Sequence, residues 1–192
     1  MEIFLYIIIR MTNFSKQKQL ILVRHAHALE GVDFFGSDHD VPLSPKGREY
    51  ATIVTRYLKL VGITPNAVVS SSALRTRETA GIMAQEYGIT DIKYADDLYV
   101  GNNPKTRHAN HIYLGAIQQT NPDVEILVIV WHNDEITEFA RYISSDGMPS
   151  MKKGSLVILS IPPDMSWNNI VPGHLSILYY LTPQFLKLED LK

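Results

Sequence analysis

Short apolar runs alternate along the chain with longer segments whose apolar residues keep a helical spacing. The runs are rich in β-branched residues and too short for buried helices, so they indicate buried strands. We predict strands over residues 20–23, 67–70, 92–94, 125–131, 156–161 and 175–181. The helical spacing predicts amphipathic helices over residues 45–60, about 75–87, 105–120 and 135–144.

The first of these helices has clear boundary signals. Ser44 is a suitable N-cap, Pro45 is a favoured first helical residue, and Gly62 follows the helix end. Strands that are apolar throughout and alternate with helices are typical of a parallel sheet covered on both faces. The predicted fold class is therefore α/β, a three-layer α/β/α sandwich with a mostly parallel central sheet.

Basic side chains and imidazoles follow three of the predicted strands. Arg24 and His25 come directly after the strand 20–23, Arg75 follows the strand 67–70, and His132 follows the strand 125–131. In open α/β sheets ligands bind outside the carboxyl ends of the strands. We therefore expect these four side chains to share one site.

The chemistry of these four side chains suits a doubly charged tetrahedral anion such as phosphate. Guanidiniums present paired donors that match phosphate oxygens, and their charge lowers the pKa of a nearby histidine. A neutral His25 can then attack phosphorus while Arg24, Arg75 and His132 bind the equatorial oxygens. We expect a phosphohistidine intermediate, with the second ring nitrogen of His25 bonded to a backbone carbonyl.

Composition narrows the remaining function classes. The chain has 192 residues, no Cys and a net charge of −2 without a block of like charges. The lack of Cys excludes disulfides and thiolate zinc sites and suits a reducing compartment, so we expect a cytoplasmic protein. The charge pattern predicts no nucleic-acid surface, and no exposed apolar face argues for assembly beyond a monomer.

The N-terminal segment is interpreted separately from the rest of the chain. Its apolar run, residues 3–9, is too short to span a bilayer and lacks the basic start of a signal peptide, so no membrane association is expected. Residues 1–19 are interpreted as a poorly ordered extension, and Met11 is favoured as the true start. The alternative is that the run 3–9 forms an extra strand or an interaction segment. Residues 20–192 are predicted to form a single domain.

Four sequence elements resemble, in order, the signatures of the histidine phosphatase superfamily, which has the phosphoglycerate mutase-like fold. They are residues 22–26 (LVRHA, the RHA form of the RHG signature), 40–47 (DVPLSPKG), 71–80 (SSALRTRETA) and 130–133 (VWHN). The chain looks most like the small SixA-like phosphohistidine phosphatases. This resemblance implies a phosphatase without metal or cofactor that acts on a phosphorylated protein, and it assigns phosphate binding to Arg75.

The resemblance is incomplete at three positions and leaves the general acid unassigned. Trp131 stands where the family usually has Gly, Asp134 where Pro is common, and Val41 where the SixA-like branch often has Arg. Residues 96–99 (DDLY) resemble the acid-poor SixA pattern. Because an alkoxide leaving group needs a proton more than an imidazole does, this pattern favours protein phosphohistidine over a small phosphoester, which stays the alternative substrate.

Other histidines have competing interpretations. His27 is a further candidate for substrate binding, unless its ring lies on the other side of the loop. The pair His25 and His27, with His132 and Asp134, could instead form a metal-dependent hydrolase site, although adjacent guanidiniums repel a divalent cation. A non-catalytic phosphate-binding module is the remaining alternative, against which the intact His25 argues.

Residues outside the predicted site are expected to be structural or solvated. His108 and His111 are spaced like metal ligands on a helix but fit a solvated face better. His39 and His174 are expected to be surface or structural residues, and Asp40 is expected to order the loop before the first helix.

Overall fold

The computed structural model describes residues 17–30, 35–99 and 110–186. Within these ranges six strands form one sheet in the order β3-β2-β4-β1-β5-β6. The strands are β1 (Gln19–Arg24), β2 (Ala67–Ser71), β3 (Ile92–Ala95), β4 (Ile126–Trp131), β5 (Leu156–Ser160) and β6 (Ser176–Leu181). The pairs β1–β4, β2–β4 and β2–β3 are parallel, whereas β5 runs antiparallel to both of its neighbours. The predicted α/β class and mostly parallel sheet are confirmed.

Four α-helices in the described ranges cover the two faces of the sheet. They are α1 (Pro45–Leu60), α2 (Leu74–Tyr87), α3 (Asn110–Gln118) and α4 (Glu135–Ile143). On one face Leu58 of α1 and Met83 of α2 pack against Val128 of β4. On the other face the core includes Tyr113 of α3 and Phe139 of α4. Each face therefore buries its own apolar cluster, which gives the predicted three layers.

The predicted element boundaries agree with the structure to within two residues, apart from the start of α3. Strand β1 extends to Gln19 and Arg24 because the parallel neighbour supplies backbone partners there, pairing Gln19 with Ile126 and Arg24 with Trp131. Strand β5 ends at Ser160 rather than at residue 161. Helix α3 is described from Asn110, so the predicted residues 105–109 lie outside the described ranges, as do residues 1–16 of the predicted extension.

Four short 3₁₀ helices lie outside the predicted strands and helices of the described chain, and two of them contain acidic residues. One spans Asp38–Asp40 before α1, and the other spans Asp96–Leu98 after β3. Both contain acidic residues and a closing backbone bond, from Val41 N–H and from Tyr99 N–H. None of the helices in the described part of the chain is long and apolar enough to cross a membrane.

Helix α1 is anchored against the loop that follows β1. The Ser44 hydroxyl accepts a hydrogen bond from Gly47 N–H at 3.1 Å, so Ser44 is the N-cap that the sequence predicts. A Cβ on Gly47 would lie 1.9 Å from the His27 carbonyl oxygen. Only glycine allows the first turn of α1 to approach this loop so closely.

We predict that Gly47→Ala destabilises the fold by roughly 1–3 kcal/mol or more, because the added methyl group overlaps backbone atoms that cannot rotate away. Chemical denaturation monitored by circular dichroism measures the change. Gly81→Ala in α2 is the matched control, since a Cβ there meets nothing within 4 Å. The control should be neutral or slightly stabilising. Equal stability of the two variants would contradict the close-approach argument.

Candidate active site

The carboxyl ends of β2, β4 and β1 lie side by side and bring the two predicted imidazoles together. The ring centroids of His25 and His132 are 5.3 Å apart, and both side chains are buried. The backbone of His25 is held on two sides, because its N–H donates to Trp131 O at 2.9 Å and its carbonyl accepts from Gly154 N–H at 3.0 Å. The position of His25 is therefore set by β4 and by the turn before β5.

The His25 ring is oriented by a backbone carbonyl, as the sequence analysis expects. Its Nδ1 lies 2.8 Å from Ala26 O, and because a carbonyl oxygen can only accept, Nδ1 must carry the proton. The lone pair is therefore on Nε2. Burial, together with the charges of Arg75 and Arg24, lowers the pKa of His25 to about 3, and the Ala26 bond opposes this shift only in part. His25 is a neutral imidazole with Nε2 as its nucleophilic atom.

His132 has a complementary arrangement of its two nitrogens. Its Nε2 lies 2.9 Å from the hydroxyl of Ser71, the last residue of β2, and its Nδ1 is buried without a hydrogen-bond partner. With the Ser71 hydroxyl as donor, the proton of His132 is on Nδ1. Burial holds the pKa of His132 well below its usual value, with a further contribution from the charges of the arginines. Its Nδ1–H is then a buried donor without a protein acceptor.

Arg24 supplies a second buried donor at this site. Its Nη1 donates to Met151 O at 2.7 Å, which holds the guanidinium in place. Its Nε is buried and has no hydrogen-bond partner. Buried donors are costly when unpaired, so such atoms point to a ligand. Arg24 and His132 thus offer donors from two adjacent strand ends.

Arg75 lies in the first turn of α2 and is paired with Asp38, which was not among the predicted site residues. Its Nη1 donates to the main-chain oxygen of Asp38 at 2.5 Å, and its Nη2 lies 3.0 Å from Asp38 Oδ2. The Tyr99 hydroxyl donates to the same Oδ2 at 2.9 Å. The Tyr99 ring in turn packs edge-on against His132, with centroids 5.7 Å apart. Asp38 and Tyr99 therefore belong to the site.

The sequence carried a weak signal for Asp38. It lies two residues before Asp40, with which the recognised 40–47 element begins. Asp40 orders the loop as expected, because its Oδ2 accepts from Ser37 Oγ and its Oδ1 lies near His39 Nδ1. His39 is partly exposed, as predicted, but it also contacts the Tyr99 ring. Nothing in the spacing separates the aspartate that binds Arg75 from the one that orders the turn.

The His27 side chain forms a hydrogen bond with the N-cap residue of α1. Its Nδ1 lies 2.8 Å from Ser44 Oγ, the hydroxyl that caps the helix. If Nδ1 donates, the Ser44 hydroxyl can donate to His27 O at 3.2 Å, and every polar group of the cap is paired. Within the described ranges no three His, Asp or Glu side chains are grouped so as to hold a metal ion. His111 is exposed on α3, and His108 lies outside the described residues.

Lys153 is a further cation that the sequence analysis did not select. Its Nζ forms an ion pair with Glu30, and its charge contributes to the lowered pKa of His25. It precedes Gly154, whose N–H binds the His25 carbonyl. The turn before β5 therefore adds both a backbone anchor and positive charge.

Comparison with known proteins connects this site to one superfamily. Residues 20–99 match the model of the histidine phosphatase superfamily (branch 1). An uncharacterized chloroplastic protein of Arabidopsis thaliana is 32% identical over 133 residues, which cover 68% of this chain and 61% of that protein. The chain thus spans about three fifths of the length of this relative.

Solved structures share the fold at lower sequence identity. The protein histidine phosphatase SixA in complex with tungstate superposes with a TM-score of 0.70 at 16% identity, covering 87% of this chain and 98% of SixA. The mycobacterial glucosyl-3-phosphoglycerate phosphatase superposes with a TM-score of 0.62 at 15% identity, covering 85% of this chain and 98% of that chain. These structures share the α/β/α architecture described above.

We predict that the free energy of unfolding falls as the pH is lowered from about 6.5 towards 3. In that window the unfolded chain protonates His25, whereas the folded chain, with a pKa of about 3, does not. The folded state is therefore favoured most above the pKa that His25 has in the unfolded chain, and this contribution to the free energy of unfolding is lost as the pH falls. Each such histidine contributes up to about 1.4 kcal/mol per pH unit. Denaturation midpoints across this pH range measure the slope.

The double variant His25→Asn, His132→Asn should flatten this pH dependence, because both rings that resist protonation are gone. His174→Asn is the control, since His174 is exposed. Identical slopes in the wild type and the double variant would show that the two imidazoles are not the source.

Proposed function

The chain belongs to the histidine phosphatase superfamily, and we propose that it is a metal-independent phosphatase in which His25 becomes transiently phosphorylated. One observation carries this proposal. The neutral His25 presents an Nε2 lone pair within a site where Arg24 Nε and His132 Nδ1 are buried without protein partners. A phosphoryl group is an electrophile for the lone pair and an acceptor for the two donors.

The reaction has two displacements at phosphorus. His25 Nε2 attacks the phosphoryl group, the bond from phosphorus to the leaving group breaks, and the leaving group takes the electron pair. Arg24, Arg75 and His132 bind the three oxygens that carry the charge in the transition state. Water then attacks the phosphohistidine, the P–Nε2 bond breaks, and inorganic phosphate is released.

A protein phosphohistidine is the substrate that fits the site best. Partial burial raises the pKa of Asp38, but the hydrogen bond and charge of Arg75 and the Tyr99 bond outweigh this effect and lower it overall. Asp38 is therefore ionised at neutral pH and has no proton to give a leaving group. An imidazole needs this proton less than an alkoxide does. The fold shared with SixA is consistent with this substrate class.

A small phosphomonoester is the second candidate substrate. The Tyr99 hydroxyl supports it, because burial and the neighbouring Asp38 raise the pKa of Tyr99 and keep its proton in place beside the site. That proton could serve an alcohol leaving group. The fold shared with a glucosyl-3-phosphoglycerate phosphatase agrees with this alternative.

The proposal also concerns the partner of the enzyme, its oligomeric state and its location. A phosphorylated protein or a small phosphoester is the partner, and we expect the enzyme to act as a monomer. Cytoplasmic location stays a prediction, and the Arabidopsis relative described above is chloroplastic.

We predict that His25→Ala lowers phosphate release at least about 10³-fold, because the nucleophile is lost. Acid-quenched wild type should carry an acid-labile, base-stable phosphoryl group that the variant lacks. His174→Ala, at an exposed histidine, is the control and should retain full activity. Activity that survives in His25→Ala would contradict the mechanism.

The same assay separates the remaining function classes. Wild-type activity should be unchanged in EDTA, whereas loss in EDTA followed by recovery with zinc would indicate a metal hydrolase. Phosphate binding without a phosphoenzyme or turnover would indicate a binding module.

We predict that kcat/KM for a phosphohistidine protein exceeds that for a phosphoserine peptide by at least about 100-fold. The reason is that general acid catalysis contributes roughly 10²–10⁴-fold and Asp38 is not protonated to supply it. Steady-state phosphate release on both substrates and on simple phosphomonoesters measures the ratio. Comparable values would favour the phosphomonoester candidate.

A further inference from the structure

In the ion pair between Arg75 and Asp38, the guanidinium is largely buried and the carboxylate is exposed to solvent. The side chain of Arg75 is 11% exposed, whereas that of Asp38 is 66% exposed. Arg75 binds Asp38 through both its main-chain oxygen and its carboxylate. Asp38 therefore lies at the solvent-facing rim of the site. It contacts Arg75, the arginine that is proposed to bind the phosphoryl oxygens.

The carboxylate of Asp38 is oriented by a second element. Tyr99 donates to Asp38 Oδ2, and its ring rests against His132. Arg75 and Tyr99 both hold Oδ2, so neither bond engages Oδ1. The His132 ring that Tyr99 contacts has its centroid 5.3 Å from that of His25, which links the support of Asp38 to the nucleophile. Two separate elements, helix α2 through Arg75 and the turn after β3 through Tyr99, therefore hold this carboxylate.

We propose that Asp38 is the general base that activates water for hydrolysis of the phosphorylated enzyme. This inference rests on the phosphohistidine route proposed above. Asp38 accepts a proton from the attacking water as the water oxygen bonds to phosphorus. The P–Nε2 bond breaks, its electron pair returns to His25, and Asp38 later passes the proton to solvent.

The position and charge of Asp38 fit this step. In an in-line displacement, water approaches phosphorus from the side opposite Nε2, which is the side that the leaving group has vacated. The rim of the site is where solvent enters, and the exposed carboxylate stands there. An ionised carboxylate can accept a proton but cannot donate one, so the role falls in the second half of the reaction rather than the first.

A counter-ion role is the competing explanation. If Asp38 only neutralises Arg75, it competes with phosphate for that guanidinium and takes no part in proton transfer. Removing its charge would then strengthen phosphate binding and leave both chemical steps unchanged. The two explanations therefore differ in whether removal of the Asp38 charge slows the decay of the phosphoenzyme.

The test is rapid-quench kinetics with phosphoramidate as the phosphoryl donor, comparing wild type with Asp38→Asn. Formation and decay of the phosphoenzyme are measured separately. We expect formation to change by no more than a few fold, decay to slow by about 10²-fold or more, and phosphoenzyme to accumulate during turnover. Asp38→Glu should restore part of the decay rate, because it keeps a carboxylate on a longer side chain.

Two further variants control for indirect effects. Asp40→Asn removes a carboxylate from the same 3₁₀ turn, one that binds Ser37 and His39 rather than Arg75, and should leave both rates unchanged. Tyr99→Phe removes the hydroxyl that holds Asp38 and keeps the ring, so decay should slow by a smaller factor than in Asp38→Asn.

The possible failures are distinguishable. Normal decay in Asp38→Asn, with tighter competition by inorganic phosphate, would overturn the general-base role and establish the counter-ion role. Slowed formation with normal decay would also overturn it. Absence of a phosphoenzyme in the wild type would overturn the phosphohistidine route together with this inference.

Discussion

The parallel pairing of β1 with β4 is the constraint on which the site depends. Its register pairs Arg24 with Trp131, the last residues of the two strands, so both strands end at the same edge of the sheet. The N–H of His25 continues this pairing by binding Trp131 O, and His132 follows at once. Backbone hydrogen bonds therefore set the spacing of the two imidazoles, and side-chain packing only has to orient their rings.

Several buried polar groups of the candidate site lower the stability of the fold. Two imidazoles are kept neutral by burial, and buried donors on Arg24 and His132 lack protein acceptors. Unpaired buried donors and burial of titratable groups are both unfavourable, and the apolar clusters on the two faces of the sheet must offset them. A bound phosphoryl group would satisfy these donors, so the same features that destabilise the fold favour the ligand.

Arg75 links the chemistry to the rim of the site. In the structure its charge is balanced by Asp38, which Tyr99 also holds. In the proposed route, a phosphoryl group on His25 brings a second anion to the same guanidinium. Under the general-base proposal, the ionised Asp38 carboxylate acts in the second displacement rather than in the first.

The sequence by itself determined the layers of the fold, and it predicted a shared site for Arg24, His25, Arg75 and His132 at one edge of the sheet. Continuous apolar runs and turn residues are local signals, and the carboxyl ends of parallel strands must meet at one edge. It did not identify Asp38, Tyr99 or Ser71 as partners of these residues, nor the bond between His27 and Ser44. Asp38 and Asp40 share one short turn, and only the tertiary structure decided which of them faces Arg75, because that choice depends on how the turn packs against α2.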